Sequence, residues 1–288
     1  MRRLLLICSL VLTGCATRHV LFDDFNYSKP EDVAQNGWII RTETGWPGVQ
    51  GSSWGKESIS IVDGSVLRMT STTDGTGEHT RQAQICSQQR KFLEGTYAAR
   101  VPYYDQPASG PNGDQIVESF YAISPLKAPM DPDYSEDDFE YLPNGGWKHT
   151  GPTLFVTTWE TFQLEPWIAD NINNAKSGGL DGWHTLVAQV GNGVVRYFID
   201  GQQLAEHGGK FYPESMMSIN FNLWFTREGL IPGNDVRQWS EDIDWVYFRG
   251  GRVQSPRSVE ATIDDLRRRS IHFKDSVPPT GLTSPCNF

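Results

Sequence analysis

Three acids alternate along one short stretch, Glu136-Asp137-Asp138-Phe139-Glu140. In an extended strand, residues two apart share a face. Glu136, Asp138 and Glu140 therefore point to one side, and Asp137 and Phe139 to the other. Like charges held together raise at least one pKa, which leaves a protonated acid beside an ionised carboxylate near neutral pH. Hydrolysis of a glycosidic bond uses such a pair: one carboxylate attacks or stabilises the anomeric carbon while the acid protonates the leaving oxygen. The spacing sets a geometric condition. Cα atoms four residues apart in a strand stand about 13 Å apart, whereas a retaining mechanism needs carboxyl groups about 5–5.5 Å apart. The strand must curve, concave on its acidic face. The same residues also fit a solvated acidic strand, or a cation loop, because Asp131, Asp133, Glu136, Asp137 and Asp138 are dense in oxygen ligands. The glycine and the terminal glutamate spacing of an EF-hand are missing.

A strand needs a sheet, and the flanking sequence supplies one. Residues 58–62 alternate, Asp63-Gly64 makes a tight turn, and residues 65–69 return, a hairpin signature. Further strands are expected at 95–101, 153–158, 194–199, 217–225 and 242–248, and loops at 43–56, 104–114, 124–135 and 164–182. Short strands punctuated by Gly, Pro and Asn predict an all-β sandwich of two antiparallel sheets. Val259, Ile263 and Leu266 fall at helical spacing beside Arg267, Arg268 and Arg269, so one amphipathic helix is expected over 258–273, packed outside the sandwich. The tail from residue 276, with two adjacent prolines, reads as extended.

The 288 residues carry a net charge of −10. That argues against nucleic acid, whose phosphates require clustered Lys and Arg, and leaves a neutral polymer open. Ten Trp residues imply an unusual core or an aromatic binding surface. At the start, Arg2 and Arg3 precede a nine-residue apolar run, too short to span a bilayer, which closes on Leu12-Thr13-Gly14-Cys15. This resembles a bacterial lipobox, with lipidation expected at Cys15. Ala16 after it points, by the same resemblance, to the outer membrane. Residues 1–14 then form a signal peptide, 15–20 an anchor and linker, 21–250 the sandwich, and 251–288 the helix and tail. Cys86 and Cys286 would share an oxidising compartment. They are either a disulfide or two buried thiols.

With these segments in order, the chain resembles glycoside hydrolase family 16, the lichenase, laminarinase and xyloglucan-transglycosylase group. The family strand reads Glu-x-Asp-x-Glu, here Glu136 to Glu140 without an inserted residue. Leu21-Phe22-Asp23-Asp24-Phe25, Val62-Asp63-Gly64, Gly95-Thr96-Tyr97-Ala98-Ala99-Arg100, Trp183-His184-Thr185, Tyr197-Phe198-Ile199-Asp200-Gly201 and Asp244-Trp245-Val246-Tyr247-Phe248 resemble further family segments in the family's order. The resemblance covers residues 20 to 250 and implies a concanavalin-like jelly roll of two curved antiparallel sheets.

By the same resemblance, Glu136 is the nucleophile, Glu140 the general acid/base and Asp138 the orienting helper. The reaction is retaining, endo-acting hydrolysis of a β-linked polysaccharide, with β-glucan foremost, or glycosyl transfer on the same site. A non-catalytic carbohydrate-binding protein on the same sandwich is the alternative. Trp147, Trp159, Trp167, His184 and Trp224 are expected to border the cleft and bind substrate, while Trp245 reads as structural. No cofactor or catalytic metal is implied, although Asp23 or Asp244 could join a structural calcium site. A monomer is expected. Two positions depart from the family pattern. Asp137 stands where an apolar residue usually packs behind the catalytic strand, and Val190 where many members have Trp.

Overall fold

The computed structural model describes residues 19–286. The signal segment and Cys15 lie outside the described residues, as do residues 287 and 288. In chain order the elements are β1 (Val20–Asp23), α1 (Glu31–Gln35), β2 (Trp38–Ile40), β3 (Ser53–Trp54), β4 (Ile59–Val62), β5 (Val66–Thr73) and β6 (Arg81–Ser87). They continue as β7 (Gly95–Tyr103), β8 (Ile116–Ile123), β9 (Glu136–Leu142), β10 (Gly145–Gly146), β11 (His149–Thr150), β12 (Thr153–Gln163), β13 (Ile168–Ser177) and β14 (Gly182–Gly191). The chain ends with β15 (Val194–Ile199), β16 (Gln202–Gly208), β17 (Ser218–Phe225), β18 (Arg237–Ile243), β19 (Trp245–Gly250), α2 (Pro256–Arg268) and β20 (Phe273–Asp275).

Two large sheets form a jelly-roll sandwich. One has seven strands in the order β16-β15-β14-β7-β19-β1-β20. The other has eleven, along β13-β12-β9-β8-β17-β6-β5-β18, with β2 and β3 added at β6 and β4 at β5. The alternation that marked the strands is the reason for the two layers. Tyr97, Ala99 and Val101 of β7 and Phe120, Phe139 and Phe221 of the larger sheet bury one face of each sheet in a shared core. The expected hairpin forms between β4 and β5, with Asp63 at φ 52° and Gly64 at φ 75°. Both residues therefore take the left-handed conformation of a type I′ turn, and Ser65 completes a three-residue connection between the paired Val62 and Val66.

The outer face of the seven-stranded sheet is covered by α2. Ser255 caps its start by accepting from the Ser258 N–H, and a proline occupies the first turn. Val259, Ile263 and Leu266 pack on Val20, Ala98, Trp245 and Tyr247, as their spacing predicted. The helix is shorter than the sequence suggested: it stops at Arg268, and residues 273–275 turn into β20, which pairs with β1.

Two other expectations are corrected. Residues 164–182 are not all loop, because β13 is a ten-residue strand paired along β12. Its Asn-rich sequence hid it: at a sheet edge it needs no apolar face. The single strand expected at 242–248 is broken at Asp244, where the chain leaves one sheet as β18 and enters the other as β19. Cys86 and Cys286 are disulfide-bonded across 200 residues of sequence.

Candidate active site

β9 lies between β8 and β12 in the larger sheet. Its register sets Glu136 opposite Ile123 and Trp159, Asp138 opposite Tyr121 and Thr157, and Glu140 opposite Ser119 and Phe155. The alternation acts as expected. Phe139 enters the core, while the three acids line a cleft of about 350 Å³ together with Trp46, Tyr121, Asn222 and Trp224.

The three carboxyl groups differ in surroundings. Asp138 is buried, with Glu136 and Glu140 half-buried on either side. The Trp159 indole N–H donates to Asp138 Oδ2 at 2.7 Å. The Tyr134 hydroxyl donates to Glu136 Oε2 at 2.5 Å. Burial, followed by the charge of both glutamates, drives Asp138 well above the carboxylate range. It therefore holds a proton and donates it to Glu136. Burial also raises Glu136, but the two donors restrain the rise and leave it at about 7. Glu140 has burial and the Glu136 charge acting in the same direction, and its pKa reaches about 8. The strand thus orders its protons. Glu136 ionises first, while Asp138 and Glu140 keep theirs.

Asp137 faces the core. The Tyr197 hydroxyl lies 3.2 Å from its Oδ1, and Oδ2 has no partner. Burial raises its pKa to about 7. A carboxylate in this position is costly unless paired or neutralised, and this one is partly both.

Aromatic side chains stand at both ends of the acidic row. Beyond Glu140, Trp224 lines the cleft, and Trp147, 42% exposed on the hairpin between β10 and β11, stands with its ring centroid 6.4 Å from that of Trp224. Beyond Glu136, Trp159 meets Trp167, 55% exposed, at 6.3 Å, and Phe162 lies between them and Trp46. Four of the five expected substrate-binding residues therefore lie near the acids.

His184 does not. It sits on β14 in the other sheet, with Nδ1 2.6 Å from Asp200 Oδ2 and Nε2 2.7 Å from the Leu180 carbonyl. It fastens the β14–β15 hairpin. Val190 on the same strand is fully buried in the shared core.

Sequence reading missed Trp46, Tyr121, Tyr134 and Asn222. Trp46 was visible as a large aromatic in a Gly- and Pro-rich loop. Tyr121 and Asn222 depend on strand register, which the sequence does not display, and Tyr134 lies in the loop two residues ahead of Glu136.

The candidate calcium carboxylates are occupied by the chain's own donors. Asp23 accepts from Tyr27, from Trp38 Nε1 at 2.8 Å and from the Phe25 N–H at 2.9 Å. Asp244 meets Arg100 and Arg267, each at 2.6 Å. Asp131 caps a turn by accepting from the Lys127 and Asp133 N–H groups.

No protein-family model matches the chain, and no curated protein matches its sequence. Solved structures do match. A Bacillus licheniformis β-glucanase superposes with a TM-score of 0.57 at 16% identity, over 80% of this chain and 97% of its own. A β-1,3-1,4-glucanase (lichenase) derived from a mouse hindgut metagenome gives 0.57 at 18% identity, over 80% and 98%. The κ-carrageenase of Pseudoalteromonas carrageenovora, solved with a κ-carrageenan oligosaccharide, gives 0.54 at 16%, over 83% and 98%. At these identities the likeness establishes a shared jelly-roll fold.

Proposed function

We propose that this protein is a retaining glycoside hydrolase acting on a β-linked polysaccharide, with β-glucan the foremost substrate class. The observation that carries the reading is the arrangement along β9: Glu136, Asp138 and Glu140 line one cleft side by side, Tyr134 donates to Glu136 and Trp159 holds Asp138, while burial raises all three acids. Fold alone would not support an activity. The β-glucanases and the κ-carrageenase that share the fold add support for a β-glycan.

In the first step Glu136 attacks the anomeric carbon, the bond to the leaving oxygen breaks, and the Glu140 proton moves to that oxygen. In the second step Glu140, now a carboxylate, takes a proton from water. The hydroxide oxygen replaces Glu136 on the sugar and regenerates both groups. Asp138 keeps Glu136 ionised and oriented by donating to it. Trp147 and Trp224 on one side, with Trp159 and Trp167 on the other, offer flat apolar faces to sugar rings. An acceptor sugar in place of water would make the same site a transglycosylase. A lipid at Cys15 would hold the enzyme on the outer membrane, facing its polymer.

The test is a panel of soluble β-glucans and galactans, with wild type compared with Glu136→Gln and the first-formed anomer read by NMR. Release of β-configured reducing ends by wild type and not by the variant is expected. Binding without release by either protein would leave a carbohydrate-binding protein instead.

A further inference from the structure

The cleft face of the larger sheet is not open across its full width. The row of Asp138 continues through Tyr121 of β8, Asn220 of β17 and Cys86 of β6. The row of Glu140 continues through Ser119, Asn222 and Gln84. Here Asn220 and Cys86 are 0% exposed and Gln84 is 1% exposed.

Two segments bury them. The first is the loop over residues 41–52, which lies directly on β6. Arg41 Nη1 donates to Gln84 Oε1 at 2.9 Å, and Gln82 Nε2 donates to Ser52 Oγ at 3.0 Å. Gly48, at φ +110°, lies so close to the sheet that a Cβ there would stand 2.3 Å from the Gln82 amide. From this base the loop carries Trp46 across to Phe162 of β12, with ring centroids 5.7 Å apart. Arg41 Nη2 holds the Trp46 carbonyl at 3.0 Å. The second segment is the C-terminal stretch, tied down on Cys86 by the disulfide to Cys286.

The other direction is open. The rows of Glu136 and Asp138 pass through Trp159 and Thr157 to Asn171 and Asn173 on β13, the edge strand. Asn173 is exposed and its amide donates to Asn171 Oδ1 at 3.3 Å. Trp46 meets β12 at Phe162, three residues past Trp159 and so at the rim of these rows.

We infer that the groove is blind on the β6 side and open on the β13 side, so that a glycan chain seats one terminus against the loop and tail over β6 and is cut at a fixed short distance from that end. The inference rests on the glycosidase reading above and departs from the endo-acting mode that the family resemblance implied. Strands lie about 4.8 Å apart. The wall over β6, three strands away, therefore stands about 14 Å from β9, room for a short oligosaccharide and not for a continuing polymer. On the open side, the Asn171 and Asn173 amides supply donors and acceptors for the hydroxyls of the remaining chain.

Soluble β-1,3-1,4-glucan tests this in two arms. In the first, viscosity and reducing ends are followed together for wild type and Cys286→Ser, which frees the C-terminal stretch from over β6. Wild type is expected to release oligosaccharide of one short length from the outset. The variant is expected to lower viscosity several-fold more per reducing end. Random internal cutting by wild type would overturn the blind groove and leave the glycosidase reading standing. The second arm needs no turnover: sedimentation counts Glu136→Gln molecules bound per glucan chain of defined length. One per chain at every length supports the blind groove even if wild type proves inactive. A count that rises with chain length overturns it, and no binding at all counts against both readings.

Discussion

Trp159 donates its indole N–H to Asp138 across the β9–β12 pair at 2.7 Å, so the residue that tunes the nucleophile is itself held from the neighbouring strand. A hydrogen bond to a neutral carboxyl group contributes about 0.5–1.5 kcal/mol. Trp159→Phe keeps the ring and loses the donor. It is expected to lower kcat by about tenfold with a smaller change in KM. A parallel rise in KM alone would mean that Trp159 acts only as a sugar platform.

Catalysis needs Glu136 ionised and Glu140 protonated. Activity is therefore expected to rise through about pH 7 and to fall through about pH 8, giving a narrow bell. The rate profile of kcat/KM measures both limbs. Tyr134→Phe removes one donor from Glu136, raises its pKa and moves the acidic limb upward.

Glu140→Gln removes the proton donor. A loss of about 10²–10⁴ in rate is expected on a polysaccharide. An aryl glycoside with an acidic phenol needs no proton on leaving, so its first step should survive and a burst of phenol should appear. Equal loss on both substrates would take the acid role away from Glu140.

Asp137 makes stability depend on pH. Its pKa rises from an ordinary 3.8 when unfolded to about 7 when folded, so between these values the folded protein binds the extra proton. Stability from this group is full below about pH 4 and is lost as pH rises through 7. Asp137→Asn is expected to raise the melting temperature at pH 8, to change it little at pH 4, and to flatten the slope between them.

The Cys86–Cys286 bond closes a loop of 200 residues, for which chain entropy gives about 5 kcal/mol. Cys286→Ser should lower the denaturant midpoint without changing the fold measured by far-ultraviolet circular dichroism.

The carboxylate strand was legible because its signal is local: a period of two fixes which side chains share a face, and the flanking turns fix the sheet. The helix was legible for the same reason, through Val259, Ile263 and Leu266. What failed is what depends on distant pairing. β13 carries no apolar stripe, since an edge strand with both faces wet does not need one. His184 sits in a segment that resembles the family pattern, yet the second sheet carries it away from the acids. Asn222, Tyr121 and Gln84 are ordinary polar residues until register sets them beside β9. The disulfide needed a distance that spacing alone does not contain.

The pairing of β20 with β1 ties the order of synthesis to the order of assembly. Leu21 is among the earliest described residues to be made, yet its partner Asp275 follows more than two hundred residues later, and Cys86 waits as long for Cys286. A ribosome therefore delivers a chain whose first strand has a bare edge and whose groove floor is uncovered until its late residues arrive. Such a chain stays pliable through most of its synthesis and locks only once its late residues have been made.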